Sequence, residues 1–379
     1  MPEPIHVLVV STTLNHGGAQ RFVSTLLRHL DRAVIRPSLC LLRDDIGYPL
    51  PDDVKVYPFS YHRPWHFPRT VQQLRTVIDT VRPDVVLSNV NATSLVCGVA
   101  LQRCRHQPVW VARIGSDPAK CDTLLRAAIA RRTYARANRF VVNSRGLIDG
   151  LGNQYPASKD RIDVILNPTD FGDIERYAAV APEHTKPDGI PLLVAVGRLA
   201  REKRYDTLLD AFVRLRARRN ARLWICGDGP LRMSLQRRID RQGLARSVRL
   251  LGYRRNPYNV LRQATLFVMS SEFEGLPNAL IEAQGLGIPA VSTRCPYGPD
   301  EIIEDGQTGL LVPVGNAEAL SDAIFRLLSD EERREHMAES ARRLARQRFA
   351  VKPLTQAWER LLSEQYRLHN TTAVSTSPG

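Results

Sequence analysis

The stretch Ile5-His-Val-Leu-Val-Val-Ser11, followed by the glycine-bearing loop at residues 12–18, decides the fold class. The apolar run predicts a buried strand, and the pattern after the loop predicts an amphipathic helix over residues 19–30. Further apolar runs predict strands at residues 38–42, 85–88, 109–112 and 140–143. Continuous apolar strands that alternate with amphipathic helices indicate a parallel sheet covered on both faces, so the first half is predicted to be a doubly wound α/β domain.

A second series of the same kind follows, with strands predicted at residues 192–196, 221–226, 248–251, 266–269, 289–292 and 309–312. The chain has 379 residues, which favours two domains over one core. We predict two Rossmann-like domains at residues 1–168 and 191–352. A linker at 169–190 joins them, because residues 181–189 are polar and contain Pro and Gly. A C-terminal helix is predicted at 353–369 and a disordered tail at 370–379.

The composition limits the classes of partner. Lys and Arg total 53 against 39 Asp and Glu, and the net charge of +14 favours nucleic acid, an anionic membrane or a phosphorylated substrate. The basic segments lack the interleaved aromatic residues that stack single-stranded bases. The six cysteines contain no C-x-x-C pair and predict reduced thiols in a cytosolic protein. No apolar stretch has membrane-spanning length, so any membrane contact is expected to be peripheral.

The segment from residue 274 to residue 287 predicts an anion site at the start of a helix. Pro277 marks the start of this helix, and Gly287 marks its end. The first N–H groups of a helix have no partner within it and carry a partial positive charge. A phosphate beside Gly275, Leu276 or Asn278 would therefore be held by backbone groups.

Two glutamates frame this site. Glu282 lies one turn inside the predicted helix, where its carboxylate suits a vicinal diol such as a ribose. Glu274 precedes the helix and can meet a different group of the ligand. Together they suggest a nucleotide sugar. The alternative is that both are surface residues near a helix start, where acids are favoured in any protein.

Two cations follow the strand predicted at residues 192–196. Arg198 and Lys203 would lie at the carboxyl edge of the second sheet, where open α/β proteins bind ligands. Two fixed cations there could neutralise a diphosphate leaving group without a metal ion. Ordinary solvation of a loop is the alternative for each of them taken singly.

Glycines follow two other strands. Gly17 and Gly18 permit a ligand to approach the backbone closely, but their loop lacks the three-glycine spacing of dinucleotide sites, which disfavours a nicotinamide enzyme. Gly227 and Gly229 predict a tight turn, and turn chemistry explains them as well as ligand contact does. The sequence contains no D-x-D, H-E-x-x-H, Walker-type or G-x-S-x-G motif, so we predict no metal site and no cofactor.

Taken together, these positions resemble the GT-B glycosyltransferases of family 4, which are retaining enzymes with two facing Rossmann domains and a cleft between them. The resemblance covers nearly the whole chain. Within the family, residues 17–21 and 295–302 are most similar to the bacterial branch that builds lipopolysaccharide, capsule or exopolysaccharide. The motifs that carry the resemblance are residues 17–21, Gly197-Arg198 with Lys203, residues 274–278 with Glu282, and residues 306–313.

The resemblance implies a role for each site residue. Arg198 and Lys203 would bind the donor diphosphate, Glu282 the ribose and Glu274 the transferred sugar. The backbone at Gly275, Leu276 and Asn278 would contact the phosphate, and Gly17 and Gly18 would line the cleft. Family members often carry a histidine after a middle strand of the first domain, near the anomeric carbon. Arg113 occupies the corresponding stretch here, and we assign it that place as a catalytic candidate.

The expected activity is metal-independent transfer of a hexosyl group, with retention, from a UDP-hexose or UDP-N-acetylhexosamine to a glycan or lipid-linked acceptor. The expected location is cytoplasmic, with peripheral contact to an anionic membrane, and no nucleic acid partner is expected. Two alternatives stay open: a GT-B nucleotide-sugar epimerase and a basic nucleic-acid-binding protein. A cationic amphipathic face for the membrane contact is predicted at Leu124, Leu125, Ala128, Ile129, Arg131, Arg132 and Arg136. An ordinary helix that packs its apolar residues inward explains the same pattern.

Overall fold

The computed structural model describes residues 3–61, 63–116 and 124–375, with the side chains of residues 64, 124–126, 157 and 372–375 left aside. These residues form two compact units. The first unit contains the chain up to Pro168 and again from Val351, and the second unit is Thr169–Ala350. The prediction of two α/β domains with parallel sheets is confirmed.

The first unit is built on a seven-stranded sheet with the order β3-β2-β1-β4-β5-β6-β7. All neighbouring strands are parallel. The order reverses between β1 and β4, which makes this the switch point of the sheet. The strands are β1 Ile5–Ser11, β2 Ile35–Leu41, β3 Lys55–Pro58, β4 Val85–Asn89, β5 Val109–Ile114, β6 Arg139–Val142 and β7 Ile162–Val164.

Five helices follow strands of the first sheet: α1 Gly18–His29, α2 Phe67–Val81, α3 Asn91–Leu101, α4 Leu124–Tyr134 and α5 Leu147–Gln154. Helix α1 begins one residue before its predicted start and buries Phe22, Val23, Leu26 and Leu27 against the sheet. The two sheet-edge strands β3 and β7 were not predicted. Neither contains a continuous buried apolar run, and apolar runs are the signal that identified the other strands.

The second unit contains a six-stranded parallel sheet with the order β10-β9-β8-β11-β12-β13. Its order reverses between β8 and β11, which places a second switch point there. The strands are β8 Leu192–Val196, β9 Arg222–Cys226, β10 Val248–Gly252, β11 Leu266–Met269, β12 Ala290–Thr293 and β13 Gly309–Val312. All six lie within one residue of the predicted strands.

The helices of the second unit begin inside the segment predicted to be a linker. They are α6 Phe171–Ala178, α7 Tyr205–Arg216, α8 Arg232–Arg241, α9 Tyr258–Leu261, α10 Asn278–Gly285, α11 Pro299–Ile302, α12 Ala317–Ser329 and α13 Glu331–Arg348. Asp170 caps α6 by accepting a hydrogen bond from the backbone N–H of Asp173, and Phe171 and Ile174 are buried. These are ordinary helix signals, so only the irregular residues 179–191 keep the character of the predicted linker.

The last helix, α14 Val351–Ser375, belongs to the first unit. Trp358 and Leu362 are fully buried in the core of that unit, and the rings of Trp358 and Phe22 lie 5.4 Å apart between centroids. The helix is longer than the predicted 353–369 and includes residues 370–375 of the predicted tail. The polar residues at its C-terminal end remain helical because they extend a helix that Trp358 and Leu362 already hold against the core. Residues 376–379 of that prediction lie outside the described residues.

The cysteines that the structure describes are buried free thiols: Cys40, Cys97, Cys104, Cys226 and Cys295. Burial raises the pKa of Cys104, Cys226 and Cys295 to about 12. These thiols are therefore protonated near neutral pH and behave as small apolar side chains. Cys121 lies outside the described residues.

Candidate functional site

The candidate site lies at the carboxyl ends of β8 and β11, the two strands at the switch point of the second sheet. The loop after β8 contains residues 197–203, and the loop after β11 contains residues 270–277. The hydroxyl of Ser270 donates to the carbonyl oxygen of Lys203 at 2.8 Å. The backbone N–H of Glu272 donates to the carbonyl oxygen of Glu202, also at 2.8 Å. The two loops that carry the predicted site residues are thus bonded to each other.

Lys203 and Glu274 form an ion pair in this place. The distance from Lys203 Nζ to Glu274 Oε1 is 2.5 Å, and the side chains are 21% and 11% exposed. The hydroxyl of Ser271 donates to the same carboxylate oxygen at 2.6 Å. The carboxylate of Glu274 is therefore fixed by a cation and a hydroxyl, and each charge remains partly open to a ligand.

Arg198 lies in the same loop as Lys203 but is much more exposed. Its guanidinium contacts Glu202 at 2.6 Å, and its side chain is 68% exposed against 20% for Glu202. Burial raises the pKa of the Glu202 carboxyl, but the hydrogen bond from Arg198 and the charges of Arg198 and Lys203 outweigh burial, so the pKa falls below its usual value. Arg198 is thus a cation at the rim of the site that can turn to a ligand at little cost.

Two glycines in the loop after β9 support the loop that carries Arg198 and Lys203. Gly227 has a φ of +151°, and a Cβ atom at this position would lie 1.9 Å from the carbonyl oxygen of Gly197. A Cβ atom at Gly229 would lie 2.6 Å from the carbonyl oxygen of Leu199. The glycines predicted as a tight turn are therefore required for close packing of one loop on another.

The loop before α10 has a similar support, which sequence analysis did not identify. Gly298 has a φ of +89°, and a Cβ atom there would lie 2.6 Å from the carbonyl oxygen of Gly275. Tyr297, just before it, has a φ of +68°, which is uncommon for a residue with a side chain. The pattern Tyr297-Gly298-Pro299 was the only available signal, since such residues mark a turn without naming the segment they touch.

Helix α10 presents its N-terminus at this loop. Pro277 is the N-cap residue, its side chain makes no capping hydrogen bond, and the first turn of the helix contains no acid. The positive end of the helix dipole is therefore not neutralised by the helix itself. Glu282 lies in the following turn and is 2% exposed. Gly275 and Leu276 lie in the loop before α10, and Asn278 and Glu282 lie in the helix itself. The predicted loop and helix are thus both present.

The predicted glycines of the first unit lie at the switch point of its own sheet. Gly17, with a φ of +109°, is the N-cap residue of α1, and Gly18 is the first residue of that helix. The side-chain amide of Asn89, at the end of β4, donates to the carbonyl oxygen of Ala19 at 3.0 Å. The glycine loop is therefore tied to the neighbouring strand across the switch point.

Arg113, on β5, is 1% exposed and lies beneath this loop. Its guanidinium donates to the amide oxygens of Asn89 at 2.8 Å and of Asn167 at 2.7 Å, and it lies 3.9 Å from the centre of the Phe22 ring. Burial lowers the pKa of Arg113 to about 9, which still leaves it charged at neutral pH. Arg113 braces the glycine loop from inside the unit. The contact of Arg113 with the transferred sugar stays a prediction, and the burial of the side chain argues against it.

In the part of the chain that the structure describes, no three His, Cys, Asp or Glu side chains are grouped so that they could hold a metal ion. Nor does any helix in that part have the length and apolar character needed to cross a membrane. The predicted amphipathic face on α4 is described only in part. Arg131 and Arg132 are exposed, whereas the side chains of Leu124 and Leu125 lie outside the described residues.

Comparisons with known proteins identify the family. The family described as glycosyltransferase family 4 matches residues 16–172, and the family described as glycosyl transferases group 1 matches residues 178–344. The lipopolysaccharide core biosynthesis glycosyltransferase LpsE of Rhizobium meliloti is 32% identical over 92% of this chain and 96% of its own length. The chain belongs to the family 4 glycosyltransferases.

Other relatives of this glycosyltransferase agree with the assignment. An N-acetylgalactosaminyltransferase of Campylobacter jejuni that acts on a diphospho-undecaprenol-linked substrate is 25% identical over 92% of this chain and 97% of its own. The Anabaena protein HepE, solved with UDP and glucose, superposes with a TM-score of 0.79 at 19% identity, covering 95% of this chain and 100% of that one. This structural likeness shows a common GT-B fold. The predictions of family, fold and glycosyltransferase activity are thus confirmed, while the epimerase and nucleic-acid alternatives gain no support.

Proposed function

We propose that this glycosyltransferase moves a hexosyl or N-acetylhexosaminyl group from a UDP-sugar, with retention, and that the donor binds at the carboxyl ends of β8 and β11. One observation carries the proposal. The Lys203–Glu274 pair and the exposed Arg198 lie where two bonded loops meet at a switch point. Open α/β sheets bind ligands at this kind of position.

Each group of the donor has a partner of matching chemistry. Arg198 and Lys203 supply two positive charges for the diphosphate. The backbone N–H groups of Gly275 and Leu276, before α10, and of Asn278, at its start, add hydrogen-bond donors. Glu282 accepts from the ribose hydroxyls, and Glu274 accepts from hydroxyls of the transferred sugar. A donor contact at Gly17 and Gly18 stays a prediction from the sequence. HepE was solved in complex with UDP, with UDP-glucose, and with UDP and glucose, and these complexes support UDP as the nucleotide.

The proposed reaction needs no enzymic nucleophile. The acceptor hydroxyl attacks the anomeric carbon on the face that the diphosphate leaves. The bond from that carbon to the phosphate oxygen breaks, and the hydroxyl proton moves to the departing oxygen. Negative charge on the diphosphate grows during this step, so Lys203 and Arg198 stabilise the transition state more than the ground state. Two cations in this role make the reaction independent of a divalent metal, and turnover is expected to persist in excess EDTA.

The acceptor is proposed to be a glycan or a lipid-linked saccharide of a cell-surface polysaccharide, handled on the cytoplasmic side of the membrane. The names of LpsE and of the Campylobacter enzyme support this class of acceptor. The net charge of +14 favours contact with phosphate-bearing substrates and anionic lipid. The exposed arginines of α4 are one candidate for that contact.

A donor panel tests the proposal. The purified protein is incubated with UDP-, GDP- and ADP-sugars, and thermal stabilisation and slow donor hydrolysis are followed in parallel. We expect stabilisation by UDP-sugars, since a ligand at a hundredfold excess over its Kd adds about 2.7 kcal/mol. The effect should be lost in Glu282→Ala and partly kept in Glu282→Gln, whose amide still accepts one hydrogen bond. No response to any nucleotide sugar would overturn the proposal.

A further inference from the structure

Trp65 is an exposed tryptophan in a chain whose other tryptophans are buried. The sequence has four of them, and Trp65 is 68% exposed, whereas Trp110, Trp224 and Trp358 are at most 2% exposed. A large aromatic side chain left in water costs free energy, because its apolar area is not removed from the solvent. Single exposed apolar residues are common, so the exposure of Trp65 gains meaning only from the loop and the charges that surround it.

Trp65 stands on a loop that is fixed at its base. The loop follows β3 at the carboxyl edge of the first sheet. The backbone N–H of Phe59 donates to the carbonyl oxygen of Leu41, the last residue of β2, and that of Tyr61 donates to the carbonyl oxygen of Leu42, both at 2.8 Å. The ring Nδ1 of His66 lies 3.1 Å from the carbonyl oxygen of Ser60. These bonds hold both ends of the turn, so the structure presents the indole outward.

The stretch of chain that contains this turn carries positive charges only. Residues 55–78 contain no Asp or Glu, but they contain Lys55, Arg63, Arg69 and Arg75. Arg75 is paired with Asp79 outside the stretch, at 3.5 Å. Arg63 lies over the indole of Trp65, 5.3 Å from the ring centre, and both Arg63 and Arg69 are exposed. An exposed aromatic ring flanked by unpaired arginines is the arrangement found where a protein enters the interface of a bilayer.

The neighbouring loop after β2 adds a second exposed apolar side chain, Ile46, which is 47% exposed. It also carries two acids, Asp44 and Asp45. Asp45 is partly neutralised, because it accepts a hydrogen bond from the side chain of Asn15 at 2.6 Å and lies 3.6 Å from Arg43. Asp44 is exposed. Arg43, Arg63 and Arg69 together outnumber these two acids, so the charge at this edge is net positive.

We propose that the turn at residues 63–69 docks the first unit on an anionic lipid surface, with Trp65 entering the headgroup region and Arg63 and Arg69 binding lipid phosphates. Basic side chains attract anionic lipid, and an indole is suited to the interface because one end is apolar and the other can donate a hydrogen bond. The net charge of +14 adds long-range attraction to the same partner. The docking would bring the carboxyl edge of the first sheet to the lipid-linked acceptor, and only this purpose rests on the proposed function.

A glycan that stacks on the exposed indole is the competing occupant. The surroundings of Trp65 favour lipid, because Arg63 lies over the indole and residues 63–69 carry cations without any acid to bind sugar hydroxyls. Neutral sugars gain nothing from such a charge, whereas phosphate headgroups do.

The four tryptophans make the test specific. The full chain is mixed with vesicles of phosphatidylcholine alone or with phosphatidylglycerol, using brominated lipids that quench nearby tryptophan fluorescence. Since three tryptophans are buried, quenching reports Trp65. We expect quenching with anionic vesicles at low salt, loss of this signal in Trp65→Phe, and vesicle binding about fivefold weaker for each of Arg63→Gln and Arg69→Gln. Met233→Ala, which alters a side chain that is 70% exposed in the second unit, should bind as the wild type does.

Three results would overturn the proposal. The first is flotation with anionic vesicles without quenching of Trp65, which would move the contact elsewhere, for example to α4. The second is no binding at low salt. The third is a change in Trp65 fluorescence on adding a soluble glycan with none on adding vesicles. Hydrolysis of UDP-sugars by Trp65→Ala, measured without lipid, separates membrane docking from donor binding. The rate should equal that of the wild type whether or not the protein docks on lipid.

Discussion

Replacing Lys203 with Met removes the cation that lies 2.5 Å from Glu274 and keeps most of the side-chain volume. Breaking a fully buried pair costs about 3–5 kcal/mol, and an exposed pair contributes about 0–1 kcal/mol. Because these side chains are 21% and 11% exposed, we expect a loss between these limits, about 1–3 kcal/mol. The carboxylate of Glu274 would keep only the hydroxyl of Ser271 as a partner.

The cost should arise from the unpaired carboxylate, and a second substitution tests this reason. The double variant Lys203→Met/Glu274→Gln contains no unpaired charge at this site, so it should regain part of the stability that Lys203→Met loses. Urea unfolding of the two single variants and the double variant measures the coupling, which we expect to be about 1–2 kcal/mol. If the two substitutions change the free energy of unfolding additively, Lys203 and Glu274 do not stabilise the protein as an ion pair.

The effect on turnover should be larger than the effect on stability. Removing one preorganised charge or donor from a transition state lowers turnover about 10²–10³-fold, and we expect this for Lys203→Met in donor hydrolysis. Arg198→Gln is the matched comparison, because its side chain is 68% exposed. Its stability should change by less than about 0.5 kcal/mol, while its turnover falls by a similar factor. Near-normal turnover in both variants would remove these cations from the mechanism.

Three further predictions concern the supports of the fold. Gly227→Ala places a Cβ atom 1.9 Å from a backbone oxygen and should cost about 2–4 kcal/mol in urea unfolding. Gly189→Ala, with a φ of +67° and no atom within 4 Å of the new Cβ, should cost only about 1 kcal/mol. Arg113→Met removes the buried hydrogen bonds to Asn89 and Asn167 and should cost about 2–4 kcal/mol in urea unfolding. Wild-type stability of this variant would show that Arg113 does not brace the loop. Trp358→Ala should destabilise the first unit by about 3–5 kcal/mol, seen as earlier loss of its near-ultraviolet circular dichroism, whereas an unchanged transition would show that α14 does not hold that core.

The regular parts of the fold could be predicted because their signal is local. Buried parallel strands such as β8 and β11 are short apolar runs, and the helix after Pro277 begins and ends with residues that prefer those positions. The strands β3 and β7 lie at the edges of their sheet, where partly exposed residues replace the apolar run. Helix α6 was missed because the polar residues after it dominated the composition of the predicted linker.

The candidate site could be predicted as a set of residues but not as a set of contacts. Lys203 and Glu274 are 71 positions apart, and no spacing rule joins residues at that distance. The partners of Arg113, Asn89 and Asn167, lie 24 and 54 positions away, so its burial could not be inferred from its neighbours. Such pairings are set by strand order, which determines the loops that meet at a switch point.

The central claim is that a nucleotide diphosphate binds at the carboxyl ends of β8 and β11. Calorimetric titration of UDP into the wild type and into Arg198→Gln tests it most directly, because the exposed Arg198 can be replaced without disturbing the fold. We expect a single UDP site in the wild type. The affinity for UDP should be at least about tenfold lower in Arg198→Gln, which is the loss expected for a charge-assisted contact. Equal affinity in the two proteins, or no binding of UDP to either, would contradict it.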